Sequence, residues 1–213
     1  MPITKQKKSK APFLPLLWRW LGGGLLFILI ACQNEIYTPK PRGYYRITLK
    51  DTTYQPFSEI APFSFTYSAT AFVENTDNPN KEDRKNDKDI WMNLVYPQLN
   101  AIVFITYKPL RYYELDSCIN DARTLALKQI KKADDIQEST IWDTTNAIYG
   151  KIYEIIGNDA ACPYQFWMTD KKNHFLRASL YFNSTPQNDS LAPIIDYLKN
   201  DMLHLIETFS WKK

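Results

Sequence analysis

The stretch Leu29-Ile30-Ala31-Cys32 constrains this chain more than any other feature. Ahead of it stand Lys5, Lys7, Lys8, Lys10 and Arg19, and residues 1–31 contain no acid. The apolar and glycine run from Trp20 to Ala31 is shorter than the ~20 residues that a membrane-spanning helix needs. Extending it back to Phe13 would place charged Arg19 inside it. A basic head, a short apolar centre and a small residue at the cut make a secretory signal.

Cys32 gives that signal a second meaning. Its thiol can carry a diacylglycerol, and the new amino terminus can take a third acyl chain such as palmitate. The segment resembles the bacterial lipobox, with cleavage between Ala31 and Cys32. Each buried methylene contributes about 0.8 kcal/mol, so two or three acyl chains hold a protein lastingly at a membrane. Residues 1–31 therefore read as a lipoprotein signal peptide, 32–43 as a lipidated tether stiffened by Pro39 and Pro41, and 44–213 as one domain.

Cleavage changes the charge. The whole chain has 26 basic and 23 acidic residues, a net +3, but five of the basic residues lie in the signal. The mature chain carries 21 basic against 23 acidic residues, a net −2. Its basic excess is a targeting feature, which argues against a nucleic-acid partner. Cys118 and Cys162 remain once Cys32 is acylated. In an oxidising compartment they can form a disulfide, or they can be two buried thiols.

Apolar alternation predicts strands at 44–49 and 63–67, the latter continued over 69–74, followed by a charged hairpin loop over 75–89. Further strands are expected at 90–96, 101–107, 138–142, 147–156, 164–169 and 174–182. Pro109 should stop the second of these, and the apolar two-faced run 147–156 suits a central position. Asp170-Lys171-Lys172-Asn173 reads as a hairpin turn. Apolar spacing of three and four predicts one helix over 114–134, with Cys118 inward, and a second ending the chain. Asp189 or Ser190 can cap the second helix, with Pro193 in its first turn. Strands, helix, strands, helix argues an α+β fold: one mostly antiparallel sheet with two long amphipathic helices packed on it. That order resembles the PsbP-like sandwich.

Chemistry is sparse. His174 and His204 are the only histidines, too few for a typical histidine metal site; no metal or cofactor is expected. His204 should lie on the polar face of its helix, in solvent. Asp170, His174 and Cys162 could serve acid–base or thiol chemistry, but no orienting group or oxyanion site accompanies them, and no enzyme activity is expected. Strand aromatics are mostly core. If the helices leave the second sheet face open, Trp167, Asp170, His174 and Arg177 would contribute to a partner surface.

Several segments together carry a family likeness. They are Tyr37-Thr38-Pro39-Lys40-Pro41-Arg42-Gly43-Tyr44-Tyr45-Arg46-Ile47, Tyr149-Gly150 with Tyr153-Glu154, and Gly157-Asn158. Gln165-Phe166-Trp167-Met168-Thr169-Asp170, His174-Phe175-Leu176-Arg177 and Leu180-Tyr181-Phe182-Asn183 follow. Asn188-Asp189-Ser190-Leu191-Ala192-Pro193 and Phe209-Ser210-Trp211-Lys212 close the series. The chain resembles the gliding motility lipoprotein GldD family of Bacteroidetes over its whole mature length. The resemblance implies a cell-envelope lipoprotein required for gliding, held in the membrane through Cys32. Gln33 rather than an aspartate follows the cysteine, so inner-membrane retention is not signalled and the periplasmic face of the outer membrane is expected. It also implies partners in the gliding and type IX secretion machinery and a non-catalytic role in assembly or stability. A periplasmic ligand- or lipid-binding lipoprotein is the alternative.

Overall fold

The computed structural model describes Gly43, Thr48, Leu49 and residues 53–76 and 88–212. These belong to a compact unit spanning Arg42–Lys213. Ala31, Cys32, the tether up to residue 42, residues 44–47 of the expected strand at 44–49 and most of the charged loop lie outside the described residues, while Thr48 and Leu49 are described and are not in a strand.

Seven strands form one antiparallel sheet. They are β4 (Phe72–Asn75), β5 (Ile90–Tyr96), β6 (Ala101–Pro109), β7 (Asp135–Asp143), β8 (Ile148–Ile156), β9 (Tyr164–Thr169) and β10 (His174–Phe182). Their spatial order is β4-β5-β6-β10-β9-β8-β7. The expected hairpin β9–β10 supplies the centre, because β10 pairs with β9 on one side and β6 on the other. Three short strands precede β4: β1 (Tyr54–Pro56), β2 (Phe63–Ser64) and β3 (Thr66–Ser68). β1 pairs with β3, and β2 pairs with β11 (Ser210–Trp211) at the chain's end. The α+β class follows from this antiparallel sheet and two helices, α1 (Leu115–Leu127) and α2 (Asn188–Glu207).

Strand alternation decides which helix lies where. Leu176, Ala178 and Leu180 on β10 point into the main core. They join Met92, Leu94, Val103, Ile105, Phe166 and Met168 from neighbouring strands. α2 covers this face with Leu191, Ile194, Leu198, Met202 and Leu205. Phe57, Phe63, Phe65 and Phe209 extend the same core as a stack of rings. The opposite sheet face receives α1, whose Cys118 and Ala122 meet Phe175, with Trp167 and Tyr113 beside them.

Several local expectations need correction. The run 63–74 is three short strands, with Ser68 and Thr70 hydroxyls bonding at 2.8 Å across the turn between β3 and β4. β6 runs on to Pro109, which pairs with His174 at the strand's last position; a proline is tolerated there because the ladder needs no further donor. β7 is longer than predicted, since Asp135 to Ser139 pair with Ile156 to Ile152 through backbone while most of their side chains face solvent. β8 is next to the edge, not central. Buried Ile148 on one face and buried Tyr153 and Ile155 on the other account for its apolar character. α1 ends at Leu127 and tightens into a 3-10 turn over Lys128–Lys131.

α2 starts one residue before the expected caps, and its N-cap residue Gln187 makes no capping side-chain bond, although Asn158 Oδ1 accepts the Asp189 N–H at 3.3 Å. Instead buried Asn188 donates its amide to the carbonyls of Gly157 and Ala160, at 2.8 and 2.9 Å. The helix start is thereby tied to the β8–β9 turn. Pro193 consequently falls inside the helix, beyond its first turn.

Candidate functional site

The residues singled out from sequence separate into two places. At the first, Asp170 closes the β9–β10 turn. Its Oδ1 accepts the backbone N–H groups of Lys172, Asn173 and His174 at 3.0, 2.8 and 2.8 Å. The His174 ring lies on the α2 face. It shares a 2.8 Å hydrogen bond between Nδ1 and the Tyr107 hydroxyl, and stacks on Trp211 at 5.0 Å. Burial, helped by the Asp170 and Asp89 charges, pushes the Tyr107 phenol up to about 12. Asp170 thus holds the His174 backbone rather than its ring, an arrangement that shapes a turn. His204 is not left to solvent either: it stacks on Tyr54 at 3.4 Å, and its Nε2 bonds Thr66 Oγ1 at 2.7 Å.

At the second place the sheet's other face carries a row of side chains set by strand register. Trp91 on β5 pairs with Thr106 on β6, Thr106 with Arg177, Arg177 with Trp167, and Trp167 with Lys151 on β8. All five point away from α2, because their strand neighbours Met92, Ile105, Leu176, Phe166 and Met168 fill the main core. The next row brings Ser179 opposite Gln165. Trp167 and Arg177 therefore share a surface, and Asp170 and His174 lie apart from it. The partner surface expected from sequence does not assemble from these four residues.

Arg177 is the unusual member of the row. Its guanidinium is mostly buried, and burial lowers its proton affinity, opposed by neighbouring Cys162 and Tyr181. Nη2 donates to Gln165 Oε1 at 2.7 Å. Among the described residues no carboxylate pairs with it. Buried Trp91 Nε1, Trp167 Nε1, Gln165 Nε2, Arg177 Nε and Ser179 Oγ have no hydrogen-bond partner in the protein. All five groups can donate, and all lie on this face.

α1 covers the face only partly. Its inner side presents small Cys118, Ala122 and Ala126, while Leu125, on the same apolar spacing, is exposed. Between the helix and the β5, β6 and β10 floor runs a cleft of about 350 Å³. Trp91, Thr106, Phe175 and Arg177 form the sheet side, and Cys118, Ala122 and Leu125 the helix side. Lys108, Lys128 and Asp121 also line it. Sequence reasoning did not find this cleft. Its signal was present in the spacing of four between small Cys118, Ala122 and Ala126, and in the parity that sets Trp91 and Arg177 on one face.

Neither remaining cysteine is in a disulfide. Both are buried thiols, the second of the two alternatives weighed from sequence. Burial pushes the Cys162 thiol up to about 11 against the pull of Arg177, and Sγ donates weakly to the Tyr164 carbonyl at 3.6 Å. Cys162, Asp170 and His174 do not converge: the first belongs with Arg177 and Tyr181, the others with the β9–β10 turn. Among the described residues no group of three or more His, Cys, Asp or Glu could hold a metal. No described helix is long and apolar enough to cross a membrane.

The family model described as gliding motility lipoprotein GldD matches residues 34–211. No curated protein matches the chain. Among solved structures, the chain is similar to the solution structure of cyanobacterial PsbP (CyanoP) from Synechocystis sp. PCC 6803, with a TM-score of 0.42 and 8% identity. That likeness covers 76% of this chain and 95% of the other.

Proposed function

Because the chain belongs to the gliding motility lipoprotein GldD family, whose members are membrane-anchored lipoproteins with a role in gliding motility, we propose that it acts as a non-catalytic assembly or stability factor. In this reading it supports the gliding apparatus and the type IX secretion machinery associated with it. Cys32 carries the acyl chains, and the domain beyond the tether docks envelope proteins of that machinery. The anchor faces the periplasm from the outer membrane, since Gln33 rather than an aspartate follows the cysteine.

The observation that carries the reading is the extent of the family match. It opens two residues after Cys32 and runs to Trp211, so it covers the whole sheet and both helices rather than one motif. The chemistry of the described residues supports it: Asp170, His174 and Cys162 are each engaged in local packing or hydrogen bonds. A clean gene deletion tests it. Loss of colony spreading together with loss of cargo secretion is expected, both restored by the wild-type chain and neither by Cys32→Ser. Normal secretion in the deletion strain would overturn the secretion link.

A further inference from the structure

We propose that the cleft between α1 and the β5–β6–β10 floor binds an organic anion, a carboxylate or phosphate head on an apolar body. Three observations converge on this chemistry. The first is charge. Lys108, Lys128 and Arg177 line the cleft against the single acid Asp121. The Lys108 ammonium leans over the Tyr113 ring at 4.9 Å. Among the described residues none of the three cations makes an ion pair.

The second is unmet hydrogen-bonding capacity. A buried donor without a partner costs about 1–3 kcal/mol, and more when charged, so native proteins keep few of them. Here Trp91 and Arg177 line the cleft with their Nε1 and Nε buried beneath its surface, and Trp167 Nε1, Gln165 Nε2 and Ser179 Oγ lie in the same and adjoining rows. Each can donate, and an anion is an acceptor without a donor. It would meet these donors after a side-chain rotation that turns them toward the cleft.

The third is shape. Phe175, Ala122, Cys118 and the Leu125 side chain give the cleft apolar walls. At about 350 Å³ it falls within the roughly 300–1,000 Å³ typical of small-molecule sites, which are likewise apolar with a few placed polar groups. Arg rather than Lys at the floor suits carboxylate and phosphate oxygens, because the planar guanidinium offers donors in a fixed fork. The ligand lies on the sheet face away from α2 and does not depend on the role in gliding.

The test uses the full chain purified from membranes into lipid nanodiscs, with 15N-labelled tryptophan. 4-Phenylbutyrate and phenyl phosphate are titrated separately, with 4-phenylbutan-1-ol as the neutral control. One or both anions should shift the indole N–H resonances of Trp91 and Trp167 saturably, leaving Trp142 and Trp211 in place; which one binds names the head group. The alcohol should bind on the order of tenfold more weakly. Lys128→Glu, at an exposed position, should weaken the anions several-fold, and Arg177→Gln should abolish their binding if it folds. Absence of saturable shifts with both anions, equal binding of the alcohol, or indifference to Lys128→Glu would overturn the proposal. None of these readouts involves spreading or secretion, so the outcome stands apart from the envelope role.

Discussion

At the residue scale, close backbone approach and burial make the sharpest demands. Gly150 pairs with Met168 on β9, and a Cβ built on it would sit 2.0 Å from the Trp167 carbonyl oxygen and 3.1 Å from Met168 Cα. Backbone on both sides cannot yield as a flexible side chain would. Gly150→Ala should therefore cost roughly 3 kcal/mol, at the upper end of overpacking losses, and lower the urea midpoint without a change in slope. An unchanged midpoint would mean that β8 and β9 separate more easily than the register implies.

Cys162 gives a residue-scale prediction with a definite sign. Its thiol titrates from an ordinary 9.0 up to about 11 in the fold, chiefly through burial. In the unfolded chain the proton leaves first, so the folded state binds more protons between these values, and stability falls as pH rises. The contribution is complete below pH 9 and is lost as pH rises toward 11. Unfolding free energies of the wild type measured from pH 8 to 10 should decline, and Cys162→Ala should flatten that decline. Tyr107 and Tyr181, pushed up to about 12, add a loss that starts later. Parallel slopes for the two proteins would contradict the burial argument.

At the scale of elements, α2 is the helix that the core requires. Leu198 is fully buried against the sheet, whereas Leu203 on the same helix is 37% exposed. Leu198→Ala should cost about 3 kcal/mol through lost burial and the cavity left behind. Leu203→Ala should cost less than about 1 kcal/mol, as surface changes do. Equilibrium denaturation of both variants checks the contrast, and similar losses would contradict the packing of α2. Elements with an apolar row facing the main core were legible in the sequence. β5, β9, β10 and the hairpin turn at 170–173 match the alternation, because a one-residue slip would turn every core side chain outward. β7 was under-read at its start because Asp135 and Gln137 are exposed polar residues held by backbone pairing, which leaves no apolar pattern there. The start of α2 was misplaced because Asn188 binds carbonyls roughly thirty residues away, a tertiary contact that local capping rules cannot show. The half-covered face was hidden for a related reason. Leu125 fits the helix's apolar stripe, yet it lines a cleft instead of a core.

At the scale of the whole molecule, anchor and domain divide the work. In the proposed reading, a lipobox at Leu29-Ile30-Ala31-Cys32 would account for the basic charge of residues 1–31 and the small residue at position 31, and the family match begins two residues after it. The domain contributes a sheet with one closed face and one partly open face, and the second holds Arg177 and the cleft. The family was legible in sequence because many short segments agreed in order. The shared surface of Trp167 and Arg177 was only partly legible, since Asp170 and His174 looked like neighbours of both until the turn geometry separated them. The central claim, a lipidated factor that works within the gliding and secretion machinery, is tested most directly by crosslinking in living cells. The lipidated chain is then recovered from its own envelope and its partners are identified by mass spectrometry. The account predicts recovery from the outer-membrane fraction, crosslinked to gliding and type IX secretion proteins, with the Cys32→Ser chain yielding none of these partners. Recovery of the wild-type chain without any of them would contradict it.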